Sequence, residues 1–420
     1  MKTPLPVAAC GRLRRPVAAC GRLRRPVAGF TLVELMVAMT IGLVLALVIS
    51  LSMLQMGRQS RVVSANSSAQ VNAQLALSLI DLSARAAGAG LFNSGKPICR
   101  SFNAWHAGSV KSDGAPLMPA RIVDGGAAGA SDRLVFSSFD AVGPLSGLPV
   151  LTAMTNPADG IVVPDAGALA ASDLAIVGVP DGTVPCTLFQ LSAAPSAGAG
   201  AAACGSNASQ CQTLAHASGG DFNAPAGTFT TEPRYGFEAV APVVGPAVVM
   251  RVGGAFRQPG YRVLCNTLVS YNAFVDSPSC SAAPLGFGGG ANALASDVVL
   301  MHAQYGISAA TDNIVTDWVD AKTVAGVNWA APAAGDIARI KAVRVVLVTR
   351  SKEPASDLVT AASCTNGGSV VNTGPCSFDD AQAPAIDLSG VAVPAGRSWR
   401  NYRYRVHQAV IPLRNVIWGH

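Results

Sequence analysis

The chain is poor in charge and in the side chains from which reaction centres are built. Of its 420 residues only 13% are Asp, Glu, Lys or Arg, while 50% are hydrophobic. No Asp or Glu precedes Phe30, and no charged residue stands between Glu34 and Arg58. Five histidines are scattered at His106, His216, His302, His407 and His420, and no two have the spacing that sets paired metal ligands on one helix face. The G-x-S-x-G elbow of the α/β-hydrolases is missing. So is any C-x-x-C, which removes the usual zinc and thiol-redox patterns. A second apolar run of membrane-spanning length is missing too. These absences point away from an enzyme and give no cofactor and no metal to expect.

What the chain does have is concentrated at its start. Lys2, Arg12, Arg14, Arg15, Arg22, Arg24 and Arg25 all precede Phe30. The formal net charge of +6 belongs to them: taking those seven from 30 basic residues leaves 23 against 24 acidic ones. A positive charge confined to a leader speaks of membrane topology, not of nucleic-acid binding. Residues 6–25 repeat PVAACGRLRR twice, too few units for a stacked-repeat fold. They read as a disposable leader, or as sequence upstream of the true start codon.

Residues 35–57 then run 23 positions without a charge. At about 1.5 Å per residue, roughly 20 such residues cross the ~30 Å hydrocarbon core. One span is expected, with the basic side in the cytoplasm and the remainder outside. The chain continues Ser52-Met53-Leu54-Gln55, with no A-x-A-like cleavage site, so a secretory signal peptide does not fit.

Two of the ten cysteines, Cys10 and Cys20, lie in the leader. The other eight, Cys99, Cys186, Cys204, Cys211, Cys265, Cys280, Cys364 and Cys376, read as disulfides formed in an oxidising compartment. Pairing close neighbours first gives Cys204–Cys211, Cys265–Cys280 and Cys364–Cys376, leaving Cys99 with Cys186. Eight cysteines allow about 105 connectivities, so this pairing is one expectation among many.

Val71, Leu75, Leu79, Leu82 and Ala86 recur at helical spacing and predict a core-facing stripe. Gly88 and Gly90 supply the stop. One helix over about 31–87 is expected, its first half in lipid and its second half packed on a folded domain. Beyond it come short β-rich runs, including RLVF at 133–136, DLAIV at 173–177, YRVL at 261–264 and VRVVLV at 343–348, separated by Gly, Pro, Ser and Asn. Residues 191–209 and the glycine-rich Gly286-Phe287-Gly288-Gly289-Gly290 read as loops. Asp312, Asn313, Asp317 and Asp320 offer oxygen ligands but not EF-hand spacing, and read as a solvated loop. Arg397, Trp399, Arg400, Tyr402, Arg403, Tyr404 and Arg405 interleave cations with rings, as single-strand nucleic-acid grooves do. Strand alternation would put Arg403 and Arg405 on one face and the tyrosines on the other, which favours an ordinary half-buried strand.

Gly29-Phe30-Thr31-Leu32-Val33-Glu34-Leu35, joined directly to the apolar run, resembles the type III signal of type IV pilins and pseudopilins. Four further patches resemble the PilW family of minor pilins: AGAGLF after the helix, VVLMHAQYGI leading to TDWVDA, IARIKAVRVVLVTRS, and YRYRVHQAVIPLRN near the end. The resemblance covers about a third of the chain and leaves residues 100–290 unplaced. It implies cleavage between Gly29 and Phe30 by a prepilin peptidase, N-methylation of Phe30, and a role in assembly for Glu34.

The fold it implies is α+β and type IV pilin-like, a long helix on a large antiparallel β-rich domain with long loops. The corresponding parts are a removed leader (1–29), a transmembrane and filament-core helix (30–57), its amphipathic continuation (58–90) and a periplasmic domain (91–420), with length enough for two subdomains. The implied role is a minor pilin that primes pilus assembly at or near the tip. Its implied partners are other minor pilins, the major pilin, a tip adhesin and the inner membrane, with nucleic acid not expected. It would stand in the inner membrane with its C-terminal domain in the periplasm, and then on the assembled pilus. A type II secretion pseudopilin and a DNA- or surface-binding minor pilin are the alternatives.

Overall fold

The computed structural model describes residues 29, 31–93, 96–97, 99–126, 129–139, 147–179, 184–197, 211–235, 237–240, 243–253, 256, 258–282, 285–309, 312–366 and 369–417. Residues 1–28, Phe30 and Cys204 lie outside the described residues. The chain divides into two compact units, residues 1–60 and 61–420.

A single helix, Leu32–Ala86, runs for 55 residues. Its first part, Leu32–Gly57, is long and apolar enough to cross a membrane, and all of it is exposed. A helix that is apolar on every side has no polar face to give to water, so it requires lipid or other apolar helices around it.

The later part of the helix belongs to the second unit, and there the expected stripe is inverted. Val71, Leu75 and Leu82 are 59%, 55% and 66% exposed, Ala86 is exposed as well, and of the five only Leu79 is half-buried. The buried face is Ala73, Ala76, Ile80, Ala84 and Ala87. Size explains the reversal, because four alanines let the helix backbone approach the sheets closely while large side chains would hold it off. Ala76→Leu or Ala84→Leu is therefore expected to cost about 1–3 kcal/mol by overpacking, whereas Leu82→Ser should change stability by less than about 0.5 kcal/mol. The midpoints of urea unfolding measure both.

Three main sheets make the β-rich unit. The first orders its strands Ser109–Ala115, Phe102–His106, Cys186–Gln190, Leu174–Gly178, Val248–Gly253 and Leu148–Pro149. Its pairing of Cys186–Gln190 with Phe102–His106 is parallel and the rest is antiparallel. The second, wholly antiparallel, orders Asn292–Ser296, Thr267–Asn272, Pro259–Leu264, Arg133–Phe136 and Ala120–Val123. The third, also antiparallel, orders Asp317–Val319, Val298–Ile307, Ile340–Arg350 and Tyr404–Pro412.

Helix residues Ala76, Ile80, Ala84 and Ala87 share one core with Leu134 and Phe136 of the second sheet, with Ile176 and Leu188 of the first, and with Tyr305, Val343, Val345 and Leu347 of the third. The opposite side of the third sheet has its own cluster, in which Val346 and Val348 meet Leu300, Ile386 and Leu388. Ile340–Arg350 is thus covered on both faces, and every position from Ile340 to Thr349 is buried, Lys341 and Arg344 included.

Three disulfides tie strands and loops together: Cys99–Cys186, Cys265–Cys280 and Cys364–Cys376. Cys211 is also disulfide-bonded. The glycine-rich segment expected as a loop is instead one strand of a hairpin, Leu285–Gly288 paired with Ser279–Ala282, the strand that carries Cys280. Only Gly289 and Gly290 turn, with φ of 62° and 75°. Part of the 191–209 stretch forms the short strand Ser196–Ala197, and residues 198–210 lie outside the described residues.

Candidate assembly site

The helix begins with a reciprocal cap that the sequence signals as T-x-x-E. Thr31 Oγ1 accepts from the Glu34 backbone N–H at 3.2 Å. Glu34 Oε2 accepts from both the backbone N–H and the hydroxyl of Thr31, each at 3.0 Å. This is a capping box, with Thr31 as N-cap and Glu34 at the third helical position. It satisfies N–H groups that a helix start otherwise leaves orphaned, and it sets a negative charge at the positive end of the helix dipole. The carboxylate stays exposed. Gly29 is exposed as well.

The other end of the helix is fastened by residues far away in sequence. Asn415 Nδ2 donates to the carbonyl oxygens of Arg85, Ala86 and Ala87 at 3.1, 3.3 and 3.0 Å. These are among the carbonyls a helix C-terminus cannot satisfy internally. Gly88, at φ 82°, turns the chain away, and its N–H reaches Ser137 O at 2.9 Å. Tyr261 Oη shares a 2.7 Å hydrogen bond with Ser83 Oγ, and burial pushes this phenol's pKa up. Nothing in the local sequence around Asn415 announces this role; only the fold brings position 415 to the helix end.

The interleaved Arg/Tyr segment separates as strand alternation requires. Tyr402 is buried and Tyr404 half-buried, while Arg403 and Arg405 are exposed. Tyr404 packs toward Leu300, Val346 and Val348, with its ring 6.3 Å from that of Trp399. His407, on the same strand, hydrogen-bonds Thr349 Oγ1 at 3.2 Å, and burial, reinforced by Arg405, holds its pKa below the usual histidine range.

The oxygen-bearing residues 312–320 do not converge. Asn313 donates to Ile417 O, Asp317 accepts from Gln382, and Asp320 is engaged by Gln304 and Lys322. Gln304 belongs to a buried clamp around Arg344, whose side chain is only 1% exposed. Arg344 Nε donates to Gln304 Oε1 at 2.7 Å, Nη1 to Asp380 Oδ2 at 2.6 Å, and Nη2 to the Gln382 carbonyl. Its guanidinium lies 4.7 Å from the Trp318 ring centre and 4.8 Å from that of Phe378. The clamp pins the segment after Cys376 onto the third sheet.

Two family models match the chain. Residues 24–50 match the prokaryotic N-terminal methylation motif, and residues 285–415 match the type IV pilus-assembly protein W model. The first match contains Gly29, Thr31 and Glu34; the second takes in every strand of the third sheet and ends on Asn415. No curated protein and no solved structure matches.

Proposed function

Taking as premise that the chain is a PilW-like type IV pilus pilin with a prepilin signal, we propose that it is a minor pilin that primes pilus assembly and takes its place in or near the tip complex. The observation that carries this reading is the capped, fully exposed apolar shaft of Leu32–Gly57 in one continuous helix with a face packed into the β-rich unit. Such a shaft can stay in a bilayer or exchange lipid for the helices of other pilins, because both are apolar surroundings.

In this reading residues 1–29 are removed by a prepilin peptidase, Phe30 is methylated, and residues 30–57 anchor the chain in the inner membrane. The β-rich part is held in the periplasm until it passes to the pilus. The eight cysteines beyond the leader pair there as four disulfides, Cys204 with Cys211 being the fourth. Its partners are other minor pilins, the major pilin and a tip adhesin, and its work is packing, not catalysis.

Deletion of the gene tests the role. Loss of surface pili with protein secretion intact is the expected result, and re-expression should restore piliation. Intact pili with a loss of secretion would instead assign the chain to a secretion pseudopilus.

A further inference from the structure

The last acidic residue of the chain is Asp387, and after it stand Arg397, Arg400, Arg403, Arg405 and Arg414 with no carboxylate among them. Three of these, Arg400, Arg403 and Arg405, gather with Arg350 where the third sheet ends. A polar cavity of about 230 Å³ opens there, lined by Thr349, Arg350, Ser351, Thr360, Arg403 and Arg405 together with Val359 and Tyr404. Arg405 pairs directly across from Thr349, so the two share a face of the sheet, and Arg403, two positions earlier, belongs to the same face. Arg400 stands at the rim, its Nε donating to Thr360 O at 3.0 Å.

The hydroxyls are spent: Ser351 Oγ donates to Glu353 O, Thr360 Oγ1 to Tyr402 O, and Thr349 Oγ1 is engaged with His407 and Arg405 O. Arg350 gives one nitrogen to Ala392 O and lies over the Tyr402 ring. Arg405 gives one nitrogen to Gln70 Oε1 at 3.0 Å. Among the described residues none of Arg350, Arg400, Arg403 and Arg405 makes a salt bridge, although Glu353 and Asp357 lie on the neighbouring segment. The cavity therefore offers guanidinium donors almost alone, and like charges gathered without a counter-charge favour an anion.

We propose that this cavity is a binding site for a tetrahedral oxyanion of the phosphate class, held chiefly by Arg403 and Arg405, with Arg350 and Arg400 adding positive potential. A carboxylate has two oxygens and is satisfied by one guanidinium fork. A phosphoryl group has enough acceptors for two forks at once. The cavity is several times the ~30 Å³ share of one water, so it has room for the oxyanion and a small group attached to it. Free phosphate and a phosphomonoester are thus two sources of one chemistry. Stacked single-stranded nucleic acid is disfavoured, because Tyr402 is buried and Tyr404, though it borders the cavity, is half-buried against Leu300, Val346 and Val348.

Calorimetric titration of the full-length, disulfide-intact protein in detergent tests this, with inorganic phosphate in one arm and glycerol phosphate in the other. Saturable one-to-one binding of phosphate is expected, with competition by sulfate. Tighter binding of glycerol phosphate would identify a phosphoester as the occupant, and equal binding would identify the free ion. The double variant Arg403→Gln, Arg405→Gln should weaken binding by about tenfold or more. Both arginines are exposed, so this variant should keep the wild-type unfolding midpoint, which the same samples report. Arg403→Lys, Arg405→Lys should fall between the two, since it keeps charge but loses the fork geometry. Arg121→Gln, an exposed arginine on the second sheet, should bind as wild type. Absence of saturable binding, equal affinity in the glutamine double variant, or capture of an oligonucleotide that phosphate does not displace would each overturn the proposal.

Discussion

Replacing Glu34 with alanine is expected to leave membrane insertion and cleavage before Phe30 intact, and to cut recovery of the protein in sheared filaments by about a hundredfold. The expected size follows from charge burial. Cleavage after Gly29 would create an ammonium at Phe30, near the Glu34 carboxylate in sequence and just before an apolar run. Breaking one partner out of a buried ion pair costs about 3–5 kcal/mol, and ~3 kcal/mol is about two decades in an equilibrium constant. The capping box supplies a second explanation for the same residue, since its loss alone costs about 1 kcal/mol.

Glu34→Gln separates the two explanations. Glutamine at the third helical position can still accept from the Thr31 N–H, so it keeps the cap while removing the charge. The hypothesis that Glu34 compensates an N-terminal amine requires the glutamine variant to assemble as poorly as the alanine variant. Quantitative immunoblotting of sheared filaments, with membrane fractions as the loading reference, gives the comparison. Wild-type recovery of Glu34→Gln would reduce the residue to a helix cap.

The second large effect is expected at Arg344. Arg344→Met should lower the free energy of unfolding by about 3 kcal/mol, the low end of the range for breaking a buried charged pair. The low end applies because Asp380, 41% exposed, regains water when its partner goes. Gln304 Oε1 and the Gln382 carbonyl lose their donor, and the buried Gln304 acceptor left unpaired adds its own desolvation cost. Methionine keeps much of the packing against Trp318 and Phe378, so the measured loss reports the hydrogen bonds and charge and not a void. Urea unfolding under oxidising conditions gives the value, and limited proteolysis should show new cutting in residues 377–391. An unchanged midpoint would mean that the clamp contributes nothing to stability.

Much of the N-terminal half of this reading was legible in the chain because it depends on neighbours. Charge confined to the leader, an apolar run of membrane length and the glycine stop after residue 87 are local patterns, and the helix Leu32–Ala86 follows from them. The capping box is local as well, written as Thr31 three positions before Glu34. The helix face was not legible. Counting large apolar side chains selects Val71, Leu75 and Leu82, whereas close packing selects the alanines between them, and periodicity carries no information about how near a sheet will come. Arg344 was hidden for a related reason. A cation inside IKAVRVVLVTR looks like the solvent side of an alternating strand, and its partners at 304, 380 and 382 are joined to it only by the fold. Residues 100–290 resisted because their main sheet pairs strands that are remote in sequence, such as Cys186–Gln190 alongside Phe102–His106.

The Cys99–Cys186 bond has a mechanical consequence whenever the chain is put under tension. It spans 87 residues of sequence, and chain in that interval would stretch to about 300 Å if it were pulled straight. While the bond holds, tension applied at the two ends of the chain bypasses the enclosed segment and passes through the two sulfur atoms, so that length is never paid out. The strands between act as slack stored behind a covalent stop, and only a reductant, not force on hydrogen bonds alone, can release it.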